Sequence, residues 1–239
     1  MKASPLLLFP VSEYQRRLNK ILAAMEREGF DAVILTSDEN TFYLSGFRSI
    51  VWDSKVSTPG TVIVTKDGSV ALATSQGGAP TAGATSCVED IRTYGKDGYP
   101  TYVKAITSLL EERGVKNGRI GFELGTGHKM HLNYTMTQEL FSELHGAEIA
   151  DAAEILWEAR SVKSPLEVEA IAKACEINVA CIRKGFSELR EGMTEMDLYG
   201  NIMGEYLKNG ADNTLPLGLR AGADRYSQSN CPPSYLSLI

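Results

Sequence analysis

Two of the three histidines stand close enough in sequence to share a chemical task. His128 and His131 form an H-x-x-H pair, and on a helix this spacing puts both rings on one face. With Glu123 or Glu139, which are near in sequence, such a pair could hold a metal ion. Two histidines are only half of a tetrahedral shell. The favoured interpretation is therefore that they begin a surface helix, with a metal site as the lesser alternative.

Two further segments could carry chemistry. The stretch GFELGTGHKM, residues 121–130, has two glycines after a predicted strand. It has neither the Lys-Ser/Thr of a phosphate loop nor three glycines in the dinucleotide pattern, so an ordinary strand-to-helix turn is favoured over a phosphate site. Cys231 lies in a Cys-Pro-Pro-Ser turn. A nucleophilic thiol needs a nearby base, and no histidine follows His145, so a small buried thiol is favoured.

Composition excludes several classes of function. The formal net charge is −6, and an acidic chain is repelled by phosphate, so we expect no nucleic-acid partner. The apolar run of Leu6–Phe9 is too short for a secretory signal, and no stretch approaches the ~18 apolar residues of a membrane span. The four cysteines are scattered, with no C-x-x-C pair. A reduced, cytoplasmic protein without membrane contact is the expectation.

Helices alternate with strands in the first part of the chain. The segment 12–29 predicts a helix that opens with a Ser12-x-x-Gln15 capping box and closes at Gly29. A buried strand, DAVILT, follows, and Asp67-Gly68 marks the turn of a hairpin. A further helix is predicted from about Leu132 to His145. This alternation predicts an α/β domain with a mixed sheet over residues 1–150.

Residues 151–239 have a different composition and predict a second, α+β domain. A helix begins at Ser164 with an S-x-x-E box and stops by Gly192, and a second helix runs from Thr194 to Gly210. TLPLGLRAG, residues 214–222, then predicts a strand. The first helix carries an apolar stripe expected to face a core: Val168, Ile171, Ala172, Cys175, Val179, Ile182 and Phe186. Two helices and one strand cannot close a core, so this domain is expected to be incomplete.

Several of these segments resemble the creatinase/prolidase metallohydrolases. The Arg-x-x-Lys-Ser-Pro-x-Glu pattern of their linker is matched by RSVKSPLE, residues 160–167, and GMTEMDL resembles the opening of their next helix. EYQRRLNKILAAMEREGFDAVILTSDENTFYLSGF resembles their N-terminal domain, and GADRYSQSNCPPS resembles the loop before their first metal-binding strand. The resemblance covers nearly all of the chain. The order and spacing of these motifs are more specific to the family than any single motif is.

The resemblance implies a creatinase-like N-terminal domain followed by the start of a pita-bread catalytic domain. In that family two divalent metal ions, such as Mn, Co or Zn, are held by two Asp, one His and two Glu that lie beyond the NCPPS loop. We therefore expect this chain to end before its metal ligands, to contain no catalytic residue and no cofactor, and to lack hydrolytic activity. A homodimer is also implied. The absence of a histidine in the NCPPS loop departs from both the peptidases and the creatinases.

Four residues are predicted to face a substrate. Arg48 and Trp52 follow the YLSGF turn, in a loop that reaches the active site of the other subunit in relatives. Arg220 and Asn230 lie on the segment expected to line the cleft. Exposed loop arginines and aromatic residues are enriched at binding sites. The alternative for Trp52 is a surface residue packed on its own domain.

Two hypotheses of function follow. In the first, the chain is part of a metallohydrolase that cleaves an amide or amidine C–N bond in a small peptide, a creatine-like guanidino compound or another small amide. In the second, it is a non-catalytic binding or dimerisation protein derived from the same family. Substrate choice stays open, because the residues that select it are mostly outside the sequence.

Overall fold

The chain folds as two compact units, Met1–Val162 and Lys163–Ile239. The structure is a computed structural model, and it describes residues 1–52, 60–212, 218–222, 225 and 231–236. The first unit extends past the predicted boundary at residue 150, because one further helix, Ala153–Ser161, belongs to it. Ile155, Leu156 and Ala159 of that helix are buried in the core of the first unit, so their apolar side chains tie the helix to it.

A six-stranded mixed sheet organises the first unit, which confirms the predicted α/β class. Its strands are β1 (Ala32–Leu35), β2 (Thr61–Thr65), β3 (Val70–Ser75), β4 (Asp90–Tyr94), β5 (Arg119–Phe122) and β6 (Glu148–Asp151). They lie in the order β4-β3-β2-β1-β5-β6. The pairs β1–β2 and β2–β3 are antiparallel, whereas β3–β4, β1–β5 and β5–β6 are parallel. Strands β1 and β2 are buried along their whole length, as their apolar runs predict.

Helices cover both faces of this sheet and enclose two apolar clusters. The helices of the first unit are α1 (Val11–Glu28), α2 (Asp38–Ser45), α3 (Ala79–Thr85), α4 (Tyr102–Glu112), α5 (Tyr134–Glu143) and α6 (Ala153–Ser161). One cluster includes residues of α1 and α6, and the other includes residues of α4 and α5. Along β1 the side chains alternate between the clusters, since Val33 belongs to the first and Ile34 to the second.

Helix α1 confirms its predicted end but not its predicted start. Tyr14, Leu18 and Ile21 are buried on the side that faces the sheet. The helix begins at Val11, and its N-cap residue, Pro10, makes no side-chain capping bond. The expected Ser12–Gln15 capping box is therefore wrong, because both residues already lie inside the helix. At the other end Gly29 is left-handed, with φ 72°, as predicted.

Other local predictions are confirmed with small shifts. Asp67 and Gly68 form the turn between β2 and β3, where Gly68 has φ 83° and the Asp67 carboxylate accepts from the Ser69 N–H at 3.0 Å. Helix α5 runs over Tyr134–Glu143, two residues shorter at each end than predicted. Asn133 caps it through its side chain. Helix α3 was not predicted, because its Ala, Gly and Thr residues give no helical period.

The second unit contains two helices within the part of the chain that is described. Helix α7 (Pro165–Ser187) begins with the predicted Ser164–Glu167 capping box, and α8 (Glu195–Lys208) begins with a Thr194–Asp197 box. Helix α7 ends five residues before Gly192. Of the strand predicted over 214–222, residues 218–222 have no strand geometry, and the others lie outside the described residues.

The predicted core stripe of α7 is wrong in one respect. Helix α7 packs on α8 through Ile177, Cys181 and Gly185, which lie on another side of the helix. The stripe itself is largely exposed: Val168 is 55%, Val179 46% and Phe186 56% accessible. The spacing identified an apolar face correctly, but within the second unit α8 packs on a different face of α7.

A buried charge anchors α1 to α2. Arg17 is 1% exposed, and its Nε donates to Oε1 of the buried Glu13 at 3.1 Å. Its Nη1 donates to the carbonyl of Tyr43 at 2.9 Å. The guanidinium also lies 4.6 Å from the ring centres of Phe9 and Tyr43. These contacts replace the water that the charge loses on burial.

Removing this charge should destabilise the first unit strongly. Arg17→Ala leaves Glu13 buried beside fewer donors, so we expect a loss of roughly 3–5 kcal/mol in the free energy of unfolding. Both tryptophans, Trp52 and Trp157, lie in this unit, so tryptophan fluorescence during urea unfolding measures it. Arg16→Ala is the control: Arg16 is bonded to the same carboxylate but its side chain is 34% exposed, and about 1 kcal/mol or less is expected. Equal losses in both variants would contradict the prediction.

Candidate functional site

The first unit carries a buried polar cluster at the carboxyl ends of two neighbouring parallel strands. Strands β1 and β5 pair in parallel with Ile34 opposite Phe122, so Thr36 and Glu123 both emerge at one edge of the sheet. On the other side of β1 the neighbouring strand runs antiparallel. This edge is where open α/β sheets place their ligand sites. We therefore take the cluster around Glu123 as the candidate site.

Glu123 is a carboxylate saturated with hydrogen bonds. It is 1% exposed. Oε2 accepts from the Thr36 N–H at 2.6 Å, the Thr36 hydroxyl at 3.0 Å and the Ser37 N–H at 2.9 Å. Oε1 accepts from the Ser37 hydroxyl at 2.5 Å and from Nδ2 of Asn40 at 2.6 Å. Five donors from the β1–α2 turn thus converge on one charge, which fixes that turn against the end of β5.

Helix α2 delivers these donors because of its capping sequence. Ser37 is the N-cap, and its hydroxyl accepts from the Asn40 N–H at 3.2 Å. This cap turns the backbone so that the Thr36 and Ser37 N–H groups point toward Glu123. It also brings the Asn40 side chain, one turn into the helix, over the same carboxylate. Local helix capping and a long-range carboxylate contact therefore support each other.

The orientation of the Asn40 amide is determined by its neighbours. Nδ2 donates to Glu123 and lies 3.1 Å from Nδ1 of His128. Oδ1 accepts from Nη1 of Arg160 at 2.8 Å. An anion on one side and a cation on the other allow only this orientation. Since an N–H then faces Nδ1 of His128, that nitrogen accepts, which corresponds to a neutral ring with its proton on Nε2, a buried atom that has no hydrogen-bond partner among the described residues.

The surroundings of His128 favour this neutral form. Its ring lies 4.8 Å from the ring of Trp157, tilted by 55°, and the Arg160 guanidinium lies 5.7 Å from the same indole. Burial lowers the pKa of His128, and the positive charge of Arg160 acts in the same direction, while the negative charge of Glu123 opposes both. The net pKa lies below the usual value, in agreement with a ring that accepts from Asn40.

The two histidines of the H-x-x-H pair have separate environments. Neither lies on a helix, because α5 begins only at Tyr134, so the expectation that they open a surface helix is wrong. His131 packs edge-on against Trp52, with ring centres 5.6 Å apart, and its backbone N–H donates to the Thr36 hydroxyl at 2.9 Å. Within the described ranges no group of three or more His, Cys, Asp or Glu side chains could hold a metal ion.

The four residues predicted to face a substrate are placed in different parts of the chain. Arg48 is half-buried after α2, with its backbone N–H 3.4 Å from the Thr85 hydroxyl. Trp52 is half-buried and packs on Phe47 as well as on His131. Arg220 is exposed in the second unit, and Asn230 lies outside the described residues. Trp52 thus packs on its own domain, and a substrate role for all four stays a prediction.

The second unit contains a second buried carboxylate. Glu195, in the first turn of α8, is 0% exposed and accepts from the Ala221 N–H at 2.6 Å, Nε of Arg225 at 2.9 Å and the Ser234 N–H at 3.0 Å. Burial opposes its ionisation, but these donors outweigh burial and lower the pKa of Glu195. The carboxylate therefore holds described parts of the loop that ends in the Cys-Pro-Pro-Ser turn.

Neither carboxylate cluster contains a nucleophile with an adjacent base. Cys231 is half-buried, and no histidine follows His145 in the sequence. In both clusters several described donors converge on the carboxylate itself. The clusters can fix loops and orient side chains, but the described residues show no catalytic constellation.

Sequence reasoning missed Glu123, Asn40 and Glu195 as organising residues. A signal was available in TSDEN, residues 36–40, where a helix cap follows a buried strand, and in GFE, where an acid directly follows another strand. Glu195 directly follows a Thr cap. Because the sequence does not give strand order, it could not show that Thr36 and Glu123 meet.

Comparison with known proteins identifies the family. Residues 17–162 match the family model of the creatinase/prolidase N-terminal domain. This match covers more than half of the chain and coincides at its end with the boundary of the first unit at Val162. The chain belongs to the creatinase/prolidase N-terminal domain family.

Curated relatives extend the similarity beyond this domain. An uncharacterized hydrolase/peptidase of Sinorhizobium fredii is 27% identical over 235 residues, which cover 94% of this chain and 55% of the relative. An uncharacterized peptidase of Staphylococcus aureus is 24% identical over 188 residues, or 78% of this chain and 48% of the relative. The chain thus spans about half the length of the curated relatives it matches.

Solved structures share the fold. An Xaa-Pro dipeptidase from Bacillus anthracis matches with a TM-score of 0.68 and 18% identity, over 84% of this chain and 50% of that one. The prolidase from Pyrococcus horikoshii matches with a TM-score of 0.63 and 23% identity, over 82% and 49% of the two chains. At these identities the similarity establishes the architecture.

Neutralising Glu123 should destabilise the first unit. Glu123→Gln keeps the shape but turns an NH₂ group toward hydrogen-bond donors, so we expect about 2–4 kcal/mol less free energy of unfolding. Urea unfolding followed by tryptophan fluorescence measures it. Glu139→Gln, at an exposed position of α5, is the matched control and should change stability by less than about 0.5 kcal/mol. If both variants unfold at the same urea concentration, Glu123 does not organise the turn.

Protonation of His128 should weaken the same unit. The pKa of His128 is lowered in the folded protein, so the unfolded chain binds the proton more readily. The resulting contribution to the free energy of unfolding is fully present above the unfolded pKa of about 6.5. It is lost as pH falls through the folded pKa. We expect the wild-type protein to lose more stability between pH 7.5 and 5 than His128→Asn, whose amide oxygen can accept from Asn40 without titrating. His145→Asn, at an exposed position, should keep the wild-type pH dependence. Parallel pH curves for wild type and His128→Asn would contradict the tautomer derived above.

Proposed function

We propose that this chain is the N-terminal portion of a hydrolase that cleaves a C–N bond in a small peptide or a related small amide. The observation that carries the proposal is the family match over 17–162, continued by the capped linker helix α7. Relatives named as peptidases are about twice as long as this chain. Xaa-Pro peptides are the favoured substrates, because the solved structures with this fold include an Xaa-Pro dipeptidase and a prolidase.

The resemblance implies two divalent metal ions, and the side chains of the described residues do not fit them. Among these residues no three potential ligands stand close enough to hold a metal. His128 contacts Asn40 instead, and His131 contacts Trp52. We therefore assign no hydrolytic step to this chain and propose that it is inactive alone. Whether Mn, Co or Zn serves the whole protein would be decided by residues outside this chain.

In this proposal the chain supplies binding surface. In the first unit, Arg48 would pair with a substrate carboxylate and Trp52 would stack on an apolar side chain or a proline ring. In the second unit, Arg220 would pair with a carboxylate and the Asn230 amide would bind a peptide group. The Glu195 cluster supports this role, since it fixes Ala221 next to Arg220 and Ser234 beyond Asn230. A cytoplasmic location belongs to the same proposal and is supported by four cysteines that are all free.

The proposal predicts no hydrolysis and no tight metal binding by residues 1–239. Purified chain at 50 μM would be titrated calorimetrically with Mn²⁺, Co²⁺ and Zn²⁺ and then assayed on Xaa-Pro dipeptides by release of free proline. We expect no stoichiometric binding tighter than about 10 μM and no proline release above a metal-only blank, because a divalent site needs four or more ligands. An Xaa-Pro dipeptidase of full length serves as the positive control.

Metal-dependent proline release by the chain alone would overturn the proposed inactivity and direct attention to His128, His131 and the carboxylates near them. The gene supplies the second discriminator. If the DNA downstream of codon 239 encodes, in any frame, a strand with two Asp followed by a His and two Glu, the hydrolase proposal stands. If it encodes nothing of this kind, the non-catalytic binding or dimerisation protein becomes the better description.

A further inference from the structure

A cleft of about 650 Å³ opens on the first unit, at the edge of the sheet opposite the Glu123 cluster. It lies between the second half of α1 and the end of β2, and Asp31 forms part of its lining. Asp31 stands before the amino end of β1, whereas Thr36 and Glu123 follow the carboxyl ends of their strands. The cleft is therefore separate from the candidate site. Its volume is in the range of small-molecule sites.

The floor of the cleft is apolar. Leu22 is half-buried, and Met25 and Phe30, which also line the cleft, are buried with 0% and 4% of their surface exposed. Ala23 follows Leu22 on the exposed side of α1. Its single methyl group leaves space that a longer side chain would fill. This floor favours a ligand with an apolar side chain, because apolar surface gains free energy when it leaves water.

The wall formed by α1 is negative. Glu26 is exposed and lines the cleft. The residues three and four positions away from it along the chain carry no charge, so none of these helical neighbours can form an ion pair with it. The helix ends two residues later at Glu28, and the carboxyl end of a helix carries a partial negative charge. This wall therefore suits an ammonium group.

The other wall carries a positive charge. Lys66 directly follows β2, and its side chain is 62% exposed. Its ammonium donates to Oδ1 of Asp31 at 2.7 Å, and Oδ2 of the same carboxylate accepts from the Arg119 N–H at 2.8 Å. An ammonium has three donors. Lys66 can therefore bind a carboxylate of a ligand and keep its contact with Asp31.

The hairpin turn after Lys66 holds this wall in place. The Thr65 hydroxyl and the Ser69 N–H both donate to Oδ1 of Asp67, at 2.6 and 3.0 Å. The turn also comes close to α1, since a Cβ added at Gly68 would lie 3.6 Å from Cδ1 of Leu22. Both walls are thus fixed by contacts within the first unit, which lowers the cost of ordering them around a ligand.

We propose that this cleft binds a small zwitterion with an apolar side chain, such as a free α-amino acid with an aliphatic side chain. The ammonium of the ligand would contact Glu26, its carboxylate would contact Lys66, and its side chain would lie on Leu22. The charges of the walls determine the ligand class. A simple cation is repelled by Lys66, and a simple anion is repelled by Glu26 and Asp31, whereas a zwitterion is attracted by both walls.

The inference does not depend on the proposed hydrolase function. Every residue that lines the cleft belongs to the first unit, and binding there needs neither a metal ion nor a hydrolytic step. A ligand that binds the folded first unit and not the unfolded chain stabilises that unit by mass action. Binding can therefore be measured on the chain as it stands.

The first test is titration of the isotope-labelled chain with L-leucine, followed by two-dimensional amide NMR. We expect saturable shifts at Ala23, Glu26 and Lys66 with a Kd of about 1–10 mM, because both charged groups are exposed and screened by salt. Leucine methyl ester lacks the carboxylate and isocaproate lacks the ammonium, so each should bind at least about tenfold more weakly. Glycine should also bind more weakly, because it has no apolar side chain.

The second test uses variants of the two walls and of the floor. Glu26→Gln and Lys66→Gln should each weaken leucine binding at least about fivefold, because each removes one charge contact. Ala23→Met should remove binding, since methionine is a good helix former that fills the cleft. Glu139→Gln and Lys96→Gln, at exposed positions outside the cleft, are the matched charge controls and should keep the wild-type affinity. Circular dichroism verifies that each variant is folded.

Several results would overturn the proposal. No saturable shift at about 50 mM leucine would show that the cleft does not take this class of ligand. Equal binding of leucine and its methyl ester would show that the cleft selects a cation and not a zwitterion. Binding that Ala23→Met leaves unchanged would place the site elsewhere. None of these outcomes involves metal binding or proline release, so failure here is distinguishable from failure of the proposed function.

Discussion

The conformation of the β1–α2 turn in the first unit depends on one buried carboxylate, that of Glu123. Glu123 has almost no contact with water, and an isolated carboxylate in that position would be strongly destabilising. Five hydrogen bonds from Thr36, Ser37 and Asn40 offset this cost. The β1–α2 turn must therefore adopt the conformation that presents those donors. The position of α2 and the orientation of the Asn40 amide follow from this requirement, and so does the contact of that amide with Arg160 on α6.

The second unit also contains a buried carboxylate that is stabilised by hydrogen bonds, although it has fewer donors. Glu195 lies in the first turn of a helix, is fully buried, and accepts from the backbone N–H groups of Ala221 and Ser234 and from the guanidinium of Arg225. These donors satisfy a carboxylate that has lost its contact with water. The two clusters are better understood as supports for a site than as the site itself.

The sequence predicts those features that depend on neighbours along the chain. Local signals located α1, α5 and α7, the alternation of helices with strands indicated the mixed sheet, and Asp67-Gly68 marked its hairpin. Features set by distant contacts escaped prediction. The pairing of Thr36 with Glu123 depends on strand order. The start of α1 at Val11, after Pro10, is instead a local feature that the apparent Ser12 box concealed. The apolar stripe of α7 was recognised, but periodicity identifies an apolar face without identifying what covers it.

The long separation in sequence between Thr36 and Glu123 has a consequence for the order of events in folding. Eighty-seven positions separate them, and the intervening chain forms β2, β3, β4 and α4. Closing so large a loop costs conformational entropy before the contacts that offset this cost can form. The carboxylate should consequently find its donors late, after β5 has docked beside β1. Substitutions of Glu123 would then accelerate unfolding more than they slow refolding. The residue would therefore contribute to stability mainly by lowering the unfolding rate.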